Sequence, residues 1–166
     1  MIESSYLKDD IKNIQQLMTI PTLKKFETKN LGRLLRLSKI RQYEAGEQII
    51  KEGDTDPWLY FLLSGKVRIE KEGVQIATID QEGEFFGEMR ILDSLSRSAS
   101  VFSEDKTVCL AVNTAAKEGL NIKDQRQTEV EFLLQLYRIF AEYMSVRLRL
   151  ANEELIKCKK AGLDES

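Results

Sequence analysis

The chain contains no histidine. That absence removes the Ser-His-Asp and Cys-His arrangements, the zinc motif HExxH and a histidine haem ligand. Cysteine is scarce: Cys109 and Cys158 lie far apart and form no CxxC pair. They build neither a disulfide framework nor a zinc cluster. We read both as reduced thiols of a cytoplasmic chain, with Cys109 a small buried apolar residue. There are two prolines and no biased tract, which excludes a collagen-like or wholly disordered chain. No long apolar run exists, since Trp58 to Leu63 falls far short of the roughly 20 residues of a membrane helix. The start, Met1 to Ser5, lacks the basic-then-apolar order of a secretory signal. Neither charge sign dominates, with 25 basic and 27 acidic residues for a net −2. Direct nucleic-acid binding, which needs a basic excess or patch, is therefore not expected. We expect no membrane association and no metal site.

What is present separates into three zones. In the first, from about Ser5 to Lys39, Ile11, Ile14, Leu17 and Met18 fall at helical spacing, and Leu31, Leu34, Leu35 and Leu37 form a second helical cluster. In the second, Ile40 to Asn113, glycines at 46, 53, 65, 73, 83 and 87 separate short β-branched and aromatic segments. Val67 to Glu70 and Val74 to Ile76 alternate, predicting strands with one buried face, while Trp58 to Leu63 predicts a strand buried on both. About eight short strands with regular turns predict a β-sandwich or jelly-roll barrel. The third zone, from about Asp124 to Lys160, has no glycine or proline and reads as a long helix or two nearly continuous ones. Leu134, Ala141, Leu148 and Leu155 repeat every seven residues, as do Tyr137, Met144, Ala151 and Cys158, supplying both seam positions of a coiled coil. Such a helix either packs only on its own barrel or also pairs with a second subunit.

The chemistry concentrates between Gly83 and Val101. A strand ends at Phe86, and Gly87, lacking a Cβ, lets a ligand approach the backbone. A helical turn from Glu88 to about Leu92 aims N–H groups outward, which attracts an anion. Nine residues after Glu88, Arg97 offers a planar, permanently charged fork. Donors plus one arginine suit a phosphate, and a glutamate in the same loop suits a sugar hydroxyl. Together they point to a nucleotide.

Phe86-Gly87-Glu88 followed by Arg97-Ser98-Ala99 resembles the phosphate-binding cassette of cyclic nucleotide-binding domains. The turns Tyr43-Glu44-Ala45-Gly46-Glu47, Glu52-Gly53-Asp54 and Ser64-Gly65-Lys66-Val67 agree with that family over roughly residues 23 to 155. The resemblance implies a mainly β fold with flanking helices: a double-stranded β-helix, or jelly roll, with N-terminal helices and a long C-terminal helix. The boundaries we draw are an N-terminal helical segment 1–22, the jelly roll 23–123, a lid or dimerisation helix 124–160 and a tail 161–166. It further implies that Gly87 and Glu88 hold the ribose 2′-hydroxyl and that Arg97 pairs with the cyclic phosphate, helped by backbone N–H groups. Ser98 would reach phosphate or purine, and Phe86 would line the pocket wall. Met89 and Ala99 complete the cassette contacts, and Arg138 would stack on the purine from the C-terminal helix. Two positions depart from the pattern. Ser96 stands where the family usually has proline, and Arg90 where it prefers a small residue. Arg90 either adds a positive charge near the phosphate, points to solvent or obstructs the cassette.

The expected activity is that of a non-catalytic sensor. It binds cAMP or cGMP without a cofactor, relays binding through its C-terminal helix, forms a homodimer through that helix and acts on an unidentified effector protein. The alternative is a degenerate domain in which Glu88 and Arg97 pair across an empty pocket, leaving dimerisation and protein interaction as its task.

Overall fold

Glycine-punctuated runs of β-branched and aromatic residues fold as nine strands among the described residues of the computed structural model, which are 1–5, 15, 17–93, 95–115 and 122–164. The chain divides into two units, Met1–Gly119 and Leu120–Ser166. The strands of the first are β1 (Ile2–Glu3), β2 (Ser38–Tyr43), β3 (Gln48–Ile50), β4 (Trp58–Ser64), β5 (Val67–Lys71), β6 (Val74–Ile79), β7 (Phe85–Phe86), β8 (Ser100–Ser103) and β9 (Thr107–Asn113). It also holds helices α1 (Thr28–Arg36) and α2 (Met89–Asp93) and a 3-10 turn at Leu23–Lys25. The second unit is helix α3 (Ile122–Asp164).

Strands β2 to β9 fill the zone where about eight were predicted. They form two antiparallel sheets, ordered β1-β2-β9-β4-β7 and β3-β8-β5-β6. The pairing is nested, β2 with β9, β3 with β8, β4 with β7 and β5 with β6. The chain is thus one long hairpin rolled up on itself, the double-stranded β-helix the sequence implied. Residues from both sheets meet in one buried cluster that includes Tyr43, Ile50, Tyr60, Leu62, Val67, Ile79, Phe86, Val101, Cys109 and Ala111. Burial there pushes the Cys109 thiol up to about 12, so it is a packing residue and not a nucleophile.

Leu59 to Leu62 are all buried because β4 lies inside its sheet, between β9 and β7. β6 differs from expectation. Val74 and Ile76 face solvent, and only Ile79 of this strand is buried. β6 is the outer edge of its sheet, and the register slips between Ile69 and Glu70 of its partner β5. Alternation fixes a strand's period but not whether either face has something to cover it. In α1, Leu31, Leu34 and Leu35 make the buried face. Leu17 is buried and Met18 exposed, while Ile11 and Ile14 lie outside the described residues.

α3 continues through Gly162 to Asp164, past the predicted end at 160. A single glycine in a helix costs only about 1 kcal/mol relative to alanine, and no proline follows to stop it. No helix among the described residues is long and apolar enough to cross a membrane.

Candidate ligand-binding site

The nested pairing decides which loops meet. Residues 51–57 carry the chain from β3 to β4, one sheet to the other, and residues 87–99 carry it back from β7 to β8. Because β3 pairs with β8 and β4 with β7, the two crossovers run side by side. The Arg97 N–H donates to the Asp54 carbonyl (2.7 Å), and the Gly53 N–H donates to the Arg97 carbonyl (2.9 Å).

Arg97 is 3% exposed. Its Nε and Nη2 donate to the two carboxylate oxygens of Asp56 at 3.1 and 2.6 Å, Nη1 donates to the Gly87 carbonyl at 2.8 Å, and Nη2 also donates to the Trp58 carbonyl. Four of its five N–H groups therefore have protein acceptors. A charge so buried is tolerable only with a partner and filled hydrogen bonds. Burial pushes the Asp56 carboxyl up, but the hydrogen bond and charge of Arg97 outweigh it and hold the carboxyl below its ordinary value.

Gly87 is required twice over. Its φ is +85°, and a Cβ there would sit 2.7 Å from Arg97 Nη1 and 3.2 Å from the Trp58 carbonyl oxygen. Trp58 is itself braced, with the Arg41 guanidinium 3.9 Å from its ring centroid. Arg41 Nη1 also donates to the Tyr60 hydroxyl (2.9 Å), and the Tyr60 ring stacks on Phe86 at 5.2 Å.

Glu88 is buried, and its carbonyl accepts from the N–H groups of Ile91 (2.9 Å) and Leu92 (3.1 Å), opening α2. It is not the ion partner of Arg97; that partner is Asp56. Phe86 lies in the core, stacked on Tyr60. Ser98 is exposed, its hydroxyl donating to the Met89 sulfur at 3.4 Å, and half-buried Ala99 leads into β8. Arg138 stands on α3 with 81% of its side chain exposed, in an ion pair with Glu142 one turn on. Arg90 is half-buried and, among the described residues, meets no carboxylate: Nη2 donates to the exposed Thr55 carbonyl at 3.3 Å, and Nε is buried without a hydrogen-bond partner.

Sequence reasoning missed Asp56. No signal in the sequence marked it, because the burial of Arg97 and the nesting that brings residues 51–57 beside it belong to the tertiary structure.

Residues 40–120 match the family described as the cyclic nucleotide-binding domain. Glutaminase 2 of Bradyrhizobium diazoefficiens is 31% identical over 147 residues, 88% of this chain and 22% of that protein. The cAMP-dependent protein kinase regulatory subunit of Eremothecium gossypii is 33% identical over 103 residues, 62% of this chain and 22% of that protein. The chain thus spans about a fifth of the length of these relatives. A cyclic nucleotide-binding domain from Methylobacillus flagellatus shares the fold, with a TM-score of 0.74 at 17% identity over 93% of this chain and 87% of that one. Residues 40–120 are thus a domain of the cyclic nucleotide-binding family, similar to parts of a cAMP-dependent protein kinase regulatory subunit and of a cGMP-dependent protein kinase.

Proposed function

We propose that the 87–99 crossover binds cAMP or cGMP and that the protein is a non-catalytic sensor. The observation that carries this reading is the Arg97 guanidinium, buried and fixed beside Gly87 by Asp56 and the Gly87 and Trp58 carbonyls. A pre-oriented cation costs little further ordering when an anion arrives. The remaining Nη1 hydrogen and the crossover's backbone N–H groups serve the cyclic phosphate, and Glu88 and Gly87 serve the ribose. Binding shifts the population between two states of the C-terminal helix by the ligand's differential affinity for them. The helix also joins two copies in a homodimer. The exposed Leu148 and Leu155, one heptad apart on α3, support that part. The chain works in the cytoplasm on an effector protein. No bond is made or broken, and the glutaminase activity named for one relative belongs to a protein about four times as long.

One observation favours the alternative of a ligand-free interaction domain: four of the five N–H groups of Arg97 already have protein acceptors. Thermal unfolding with cAMP, cGMP and a linear 5′-monophosphate decides between them. A cyclic nucleotide at about 100 times its dissociation constant adds about 2.7 kcal/mol, a rise of roughly 5–11 °C for a domain of this size. No rise with either cyclic nucleotide at millimolar concentration selects the alternative.

A further inference from the structure

Arg90 is unused by the reading above, although it is the crossover's second guanidinium. Among the described residues it has no ion-pair partner. Its one hydrogen bond, to the Thr55 carbonyl, is long at 3.3 Å, and its Nε–H is shut off from water with no acceptor. A buried donor left unpaired is unfavourable, so the Nε–H of this side chain is under-satisfied. Arg97 is the opposite, with a carboxylate and two carbonyls. The two guanidinium groups are moored to adjacent residues of one loop, Thr55 and Asp56, and the Asp56 carboxylate is committed to Arg97. No ion pair is found for Arg90 among the described residues, whereas Arg97 has Asp56.

We infer that Arg90 is a second phosphate-binding residue of this site: when a nucleotide enters, it exchanges the Thr55 carbonyl for oxygens of the cyclic phosphate. The inference rests on the cyclic nucleotide reading and deepens it. A charge-assisted bond to phosphate gives the Nε–H its missing acceptor and the guanidinium its missing anion. It also supplies donors that Arg97, with a single uncommitted N–H, cannot. The planar fork matters as well as the charge, so lysine is an incomplete substitute.

The test is titration calorimetry of cAMP and cGMP into the full chain as wild type, Arg90→Ala, Arg90→Lys and Arg97→Ala, at two salt concentrations, with the ligand-free melting temperature of each. Arg90→Ala is expected to weaken binding about tenfold or more and to flatten its salt dependence, with Arg90→Lys in between. The ligand-free melting temperature of Arg90→Ala is expected to equal or exceed that of wild type, since the substitution removes an unpaired donor and only one long bond. Binding by Arg90→Ala within twofold of wild type, or tighter, overturns the inference alone when Arg97→Ala is defective. Failure of the wild type to take up either nucleotide overturns the cyclic nucleotide reading and this inference with it.

Discussion

The 87–99 crossover and α3 invert the usual placement of residues in opposite ways. In the crossover a permanent cation, Arg97, is 3% exposed, while on α3 Leu148 and Leu155 are 63% and 53% exposed. Charged groups are rarely so buried unless paired, and a line of exposed leucines is a surface that association would cover. Each inversion marks a place where stability alone does not explain the residue. On the function proposed above, the buried cation is held ready for an anion and the leucine line for another helix. In the crossover Arg97 has a carboxylate and two carbonyls around it, whereas Leu148 and Leu155 on α3 are exposed.

The largest effect that can break this contrast is on α3. Leu148→Glu combined with Leu155→Glu removes four leucines from a two-chain seam, at about 1.5 kcal/mol or more each, and weakens self-association by more than about a thousandfold. Sedimentation equilibrium checks it. A wild type that stays monomeric at high concentration means the seam has no second copy to cover it. Next is Arg97→Ala, which strands the Asp56 carboxylate and two carbonyls and is expected to lower the unfolding free energy by about 2–4 kcal/mol in urea titrations. A loss under about 0.5 kcal/mol would show that the buried ion is not held as described. The smallest effect is in acid. The folded-state pKa of Asp56 is depressed, so its contribution is present above the unfolded value near 3.8 and is lost as pH falls through the lower folded value. Urea titrations between about pH 2 and 6 should therefore show wild type losing stability below about pH 4 more steeply than Asp56→Asn. Parallel curves would mean that the pair contributes nothing pH-dependent.

Much of the crossover was legible in the chain itself. Glycine spacing gave the strand breaks, and Gly87, Glu88 and Arg97 stood at separations that suggested phosphate and ribose. The long helix was legible from its unbroken run without glycine or proline. Asp56 was not, because it lies 41 residues from Arg97 and meets it only through the nesting of β3 and β4 against β8 and β7. The exposure of Val74 and Ile76 was hidden for a similar reason, since sheet order decides which strand is an edge. Arg90 was visible as a departure, but its contact with Thr55 depends on the same long-range packing of the two crossovers.

The central claim is that Arg97, clamped by Asp56 beside Gly87, receives a cyclic phosphate. Titration calorimetry of the wild-type chain with cAMP, cGMP and a linear 5′-monophosphate, set beside Arg97→Lys, addresses it most directly. The predicted result is saturable heat with one of the cyclic nucleotides at one molecule per chain, much weaker binding of the linear control, and strong loss in Arg97→Lys. No heat from either cyclic nucleotide at millimolar concentration, or equal binding by Arg97→Lys, would contradict it.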